Sequence, residues 1–139
     1  MYIFNEIDVI REVCKDVVLK VILERGELRN PDFIRKASEI AITAGADFIK
    51  TSTGKVQPAA TEDAVEIMLL VIKEQYKKNG KKIGIKPPGE ISEPTQALRY
   101  FQLTERIMGA EWMNKGLFRI GASHLADALA REIVSSNPI

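Results

Sequence analysis

Short apolar runs rich in β-branched residues alternate with helical patterns along the chain, and this alternation limits the fold more than any other feature. The runs are Val17 to Glu24, Ala46 to Lys50, Ile83 to Lys86 and Leu117 to Ile120. Each reads as a strand, the first of them buried on both faces. The stretches between them carry helix boundary signals. Asn30 caps a helix whose first position is Pro31, and Gly45 closes it. Thr61 caps a longer helix with Ala64, Ile67, Met68, Val71 and Ile72 along one face, ended by Asn79-Gly80. Further helices are expected from Pro94 to Met108 and from His124 to Val134, and Ile3, Ile7, Ile10 and Cys14 mark another at the start. One helix followed by four βα units implies parallel strands joined by right-handed crossovers.

Two architectures share that order. A flavodoxin-like doubly wound sheet needs about five strands and suits 139 residues, and periodicity alone favours it. A (β/α)8 barrel needs roughly 250 residues, so four units make half of one. With 45% hydrophobic and 28% charged residues, the chain reads as one soluble globular domain over 1–139. A net charge of +1 argues against nucleic acid or an anionic membrane as the main partner. No apolar run approaches the ~20 residues of a membrane-spanning helix. Met1 to Val18 interleaves Glu6, Asp8, Glu12 and Asp16 with apolar residues and has no basic leading region, unlike a signal peptide. Cys14 is the sole cysteine, so no internal disulfide forms and a reducing cytoplasm is expected.

Lys20, Lys50 and Lys86 sit in strands where a buried position should be apolar. One lysine at a strand end is usually a side chain reaching for solvent. Three in successive βα units, with Lys50 and Lys86 running into glycine-containing loops, point to function. Parallel α/β folds place their active sites at strand C-termini. Lysine is a nucleophile only when neutral, and burial or a neighbouring ammonium lowers its pKa. Such a lysine attacks a carbonyl to form an iminium ion, an electron sink. Glycine-rich segments also follow the strands: Thr53-Gly54-Lys55, Pro88-Gly89 and Gly121-Ala122-Ser123. Loops of this kind that lead into helix N-termini commonly hold phosphate, and backbone N–H groups with Lys55 are the expected donors.

Phe48-Ile49-Lys50-Thr51-Ser52-Thr53-Gly54-Lys55 resembles the Schiff-base signature of deoxyribose-phosphate aldolase. Leu19 to Glu24 with Gly26-Glu27-Leu28, then Gly84-Ile85-Lys86-Pro87, then Phe118 to Ser123, follow in the family's order and spacing. The resemblance covers nearly the whole chain. It implies a TIM-type (β/α)8 barrel of which this chain is the C-terminal half, with no metal and no organic cofactor. The implied reaction is reversible cleavage of 2-deoxy-D-ribose 5-phosphate to D-glyceraldehyde 3-phosphate and acetaldehyde. By motif position Lys50 resembles the Schiff-base lysine, Lys86 the second lysine that perturbs it, and Lys20 a further lysine of the pocket. Thr53, Gly54, Lys55, Gly89, Gly121 and Ser123 fall where the family binds the phosphate of its sugar substrate.

Three departures accompany the resemblance. The family's proton-relay aspartate lies on a strand of the other half, and no carboxylate here takes its place. The loop after Lys86 reads Pro88-Gly89-Glu90-Ile91-Ser92, where Ala-Gly-Gly followed by a hydrophobic residue is usual. His124 stands where a second Ser or Thr is common. The expected partners are a complementing N-terminal half or a second copy of the chain. A catalytically inactive homologue serving as an interaction module is the alternative reading.

Overall fold

The computed structural model describes residues 2–88 and 91–136. Helix α1 (Tyr2–Val13) precedes β1 (Lys20–Ile22), α2 (Pro31–Thr43), β2 (Phe48–Lys50), α3 (Glu62–Asn79), β3 (Gly84–Lys86) and α4 (Pro94–Met108). A short 3-10 turn (Ala110–Trp112) and α5 (Leu125–Ser136) follow. The expected helix starts hold. The Asn30 side chain accepts from the Asp32 N–H ahead of Pro31, and the Thr61 side chain accepts from the Ala64 N–H.

The strands are shorter than the apolar runs. Val17 and Val18, expected in the first strand, are exposed instead. The expected fourth strand, Leu117 to Ile120, pairs with β3 only through isolated bridges, Ile85 with Phe118 and Pro88 with Gly121. It still lies parallel beside β3, because the Ile85 N–H donates to Leu117 O at 2.8 Å and the Arg119 N–H donates to Ile85 O at 3.1 Å.

Strand order decides between the two architectures. The sheet runs β1-β2-β3 with residues 117–121 next, all parallel and in chain order. A doubly wound sheet reverses order at a switch point and carries helices on both faces. Here α1 to α5 contact one another in succession, forming one layer. Ile49 and Ile85, both 0% exposed, join residues of α2, α3 and α4 in a single core. Side chains alternate across a strand, so the opposite face carries Lys20, Ile22, Phe48, Lys50, Gly84 and Lys86. This is the wall of a barrel, with helices outside and the lysine-bearing face inside.

Two local devices fix the wall. The Arg11 guanidinium donates to Asp47 Oδ2 at 2.6 Å and to the carbonyls of Gly45, Cys14 and Val17. Asp47 Oδ2 also accepts from the Leu19 N–H at 2.8 Å, so one ion pair ties α1 to the starts of β1 and β2. On the inner face, a Cβ at Gly84 would stand 2.3 Å from the Phe48 ring. Absence of a side chain at Gly84 therefore lets that ring pack against β3, where it is 2% exposed. Ile22, by contrast, is 42% exposed on the same face.

Candidate active site

The inner face is built in layers across the strands. Lys20 is in register with Phe48, and Phe48 with Gly84. One layer further toward the strand C-termini, Ile22 is in register with Lys50, and Lys50 with Lys86. Lys50 and Lys86 are therefore neighbours on strands spaced roughly 4.8 Å apart. Burial lowers the Lys50 pKa below that of an ordinary lysine, the Lys86 ammonium lowers it further, and the Glu24 carboxylate opposes both. More of Lys50 is thus neutral at a given pH than of a solvated lysine.

Lys50 opens onto a cavity of about 460 Å3. Thr53, Gly54, Lys55, Gly121 and Ser123 line it together with Pro88, Ile91, Ser92, Ala122 and His124. Most of the residues expected at the site therefore surround one space at the C-terminal mouth of the wall. Lys86 stands at its edge, since a Cβ at Gly121 would approach Lys86 Cε to 2.9 Å. Gly121 keeps that approach open. Gly89 and Glu90 lie outside the described residues. Lys20 is not a lining residue. It lies one layer deeper, with its ammonium 5.6 Å from the Phe48 ring centroid. Its pKa is also lowered, by burial first and then by Lys86, Arg119 and Lys50.

Two residues were not anticipated. Arg119 holds its guanidinium 4.6 Å from the Phe48 centroid. Phe118 pairs with the outward-facing Ile85, so alternation turns Arg119 inward and adds a fourth cation to the three lysines. Glu24, just past β1, accepts from Thr53 Oγ1 at 2.6 Å and from the Thr53 N–H at 3.2 and 3.3 Å.

The loop after Lys50 also differs from expectation. Its backbone N–H groups were expected to face an anion, but they are used within the protein. The Thr53 N–H goes to Glu24, the Gly54 N–H to Ser52 Oγ at 3.2 Å, and the Lys55 N–H to Thr53 Oγ1 at 3.2 Å. What this loop offers the cavity is the exposed Lys55 side chain. Across the cavity stand Ser123 and His124, immediately ahead of α5.

A parallel wall with neighbouring lysines at its strand ends and a cation-rimmed cavity beyond them defines an aldolase-type partial (β/α)8 barrel. Residues 2–86 match the model of the DeoC/LacD family aldolase, and the chain belongs to that family. A Toxoplasma gondii ME49 protein assigned as a deoxyribose-phosphate aldolase superposes with a TM-score of 0.84 at 26% identity, over 96% of this chain and 51% of its own. A Coccidioides immitis protein with the same assignment gives 0.75 at 28%, over 94% and 45%. An aldolase designated QR15 gives 0.70 at 27%, over 96% and 53%. The chain thus spans about half the length of these structures. Among the described residues no helix is long and apolar enough to cross a membrane.

Proposed function

We propose that this chain forms the lysine-bearing wall of a class I aldolase that reversibly cleaves 2-deoxy-D-ribose 5-phosphate to D-glyceraldehyde 3-phosphate and acetaldehyde. The observation that carries this reading is the register pair Lys50 and Lys86, placed where Lys50 opens onto the cavity. Neutral Lys50 Nζ adds to the C1 carbonyl of the open-chain sugar, and loss of water leaves an iminium ion. Removal of the C3 hydroxyl proton then breaks the C2–C3 bond, with the electron pair drawn into the iminium. Glyceraldehyde 3-phosphate departs. The remaining enamine takes a proton at C2, and water releases acetaldehyde and restores the amine. Burial and then the repulsion of Lys86 favour the neutral form of Lys50, and Lys20 adds to the positive potential beneath it. Lys55, Ser123 and His124 supply the cation and donors for the phosphate at the cavity rim.

Trapping with borohydride tests the first step. Acetaldehyde with borohydride is expected to leave an N-ethyl group on the peptide containing Lys50. The pH dependence follows from the signs above. Lys86→Leu removes a positive neighbour, raises the Lys50 pKa and moves the rise in adduct formation to higher pH. A profile that stays in place in that variant removes Lys86 from the mechanism.

The same geometry supports a reading of the partners. β1 and residues 117–121 each have an edge without a strand partner among the described residues. Such edges present free N–H and C=O groups that invite pairing. Beside β1, an apolar recess of about 340 Å3 is lined by Ile3, Ile22, Leu28, Phe33 and neighbouring residues. Complementary βα units close this wall in the working enzyme, and the chain on its own is expected to associate. Light scattering at micromolar concentration checks this. A cooperatively folding monomer that binds no apolar dye contradicts it.

A further inference from the structure

We propose that Glu24 is a positioning residue whose carboxylate fastens the Thr53-Gly54-Lys55 loop across the mouth of the cavity and sets the electrostatic balance at Lys50. Its second role rests on the Schiff-base reading of Lys50, whereas its first does not.

The backbone is the first indication. Glu24 has a φ of +50°, the sole non-glycine residue with positive φ among the described residues. Asn, Asp and His are the side chains enriched in that conformation, and glutamate is not among them. The conformation is held from both sides. The preceding Leu23 N–H donates to Lys50 O at 2.9 Å, and the following Arg25 N–H donates to Thr51 O at 2.8 Å. An uncommon backbone geometry retained by its surroundings is a reason to ask what the side chain does.

The side chain answers by bridging two βα loops. Both carboxylate oxygens accept from the Thr53 N–H, and Oε2 also accepts from Thr53 Oγ1. With its proton given to Glu24, Thr53 Oγ1 is oriented to accept the Lys55 N–H. The carboxylate thus holds Thr53 directly and Lys55 through it, while Ser52 Oγ takes the Gly54 N–H between them. A charged acceptor makes these bonds stronger than neutral ones. Backbone packing supports the same contact, since a Cβ at Gly26 would stand 2.6 Å from Val56 Cγ1. The charge matters as well. Around Lys50 stand Lys86 on β3, Lys20 on β1, Lys55 in its own loop, His124 across the cavity, Arg119 over the Phe48 ring, and Glu24. Among the charges acting on Lys50, Lys86 and Glu24 are opposed in sign.

Two variants of the full chain separate the roles. Glu24→Gln keeps an oxygen acceptor for Thr53 but loses the charge, and Glu24→Ala loses both. Circular dichroism first establishes that each is folded. Tryptic cleavage after Lys55, quantified by mass spectrometry against other exposed lysines, is expected to be about tenfold or more faster in Glu24→Ala and to fall between that and wild type in Glu24→Gln, which keeps one neutral acceptor oxygen. Borohydride trapping of acetaldehyde at Lys50 is expected to shift to lower pH in both variants, because each removes the charge that favours the ammonium form. Unchanged cleavage in Glu24→Ala overturns the loop role, and an unshifted trapping profile in Glu24→Gln overturns the electrostatic one. If wild type yields no adduct at Lys50, the Schiff-base reading fails and the electrostatic role falls with it, while the cleavage result still decides the loop role.

Discussion

Lys50→Leu is expected to abolish selective reductive labelling by acetaldehyde and borohydride while leaving the fold intact. Leucine is close in length to the apolar stem of lysine, and the Lys50 side chain faces a cavity rather than the helix layer. Labelling that remains will be the slow, even background of solvated lysines, whose ammonium forms dominate at neutral pH. Peptide mapping decides the matter. An adduct of undiminished yield in the variant, spread over surface lysines, places the chemistry elsewhere. The variant also serves as the reference for any retro-aldol assay of the completed barrel, where loss of the nucleophile removes the covalent route entirely.

Trp112→Ala is expected to destabilise the chain by about 3–5 kcal/mol. Trp112 is 0% exposed, and its indole N–H donates to Ile83 O at 3.0 Å. Its ring meets Tyr76 edge to face at 5.0 Å. Truncation opens a cavity beneath β3 and strips the Ile83 carbonyl of its donor. A domain holds only about 5–15 kcal/mol in total, so this is a large share. Urea denaturation followed by circular dichroism gives the midpoint shift. A loss below about 1 kcal/mol would mean that the helix layer collapses into the space.

The sequence made the elements legible wherever a local signal exists. Asn30-Pro31 and Thr61 mark helix starts because a cap needs only neighbouring residues. Lys50 and Lys86 stood out because charge in an apolar strand run is itself an anomaly, and the register places them side by side. Strand order was not legible. Whether a βα series winds one way or reverses depends on which strands pair, and no local pattern encodes that. The barrel came from the resemblance around Lys50 rather than from periodicity. Glu24 is not legible in the sequence because its role joins a left-handed backbone to a threonine 29 residues away. Arg119 is not legible because nothing local in a short strand says which residues face inward; the bridge between Ile85 and Phe118 and the contact of Arg119 with Phe48 show that it does. The donors expected from the loop after Lys50 failed for a related reason, since the side-chain oxygens of Ser52, Thr53 and Glu24 take those N–H groups first.

The place of Trp112 has an optical consequence. It is the sole tryptophan of the chain, shielded from water in the helix layer and absent from the lining of the cavity at the strand ends. Intrinsic emission therefore comes from one buried environment. It will shift to longer wavelength when Trp112 separates from Ile83 and from Tyr76 of α3, and stay nearly constant when a small molecule enters the cavity. Unfolding and occupancy are thus separable in one cuvette without an added label, the first from tryptophan emission and the second from mass or absorbance.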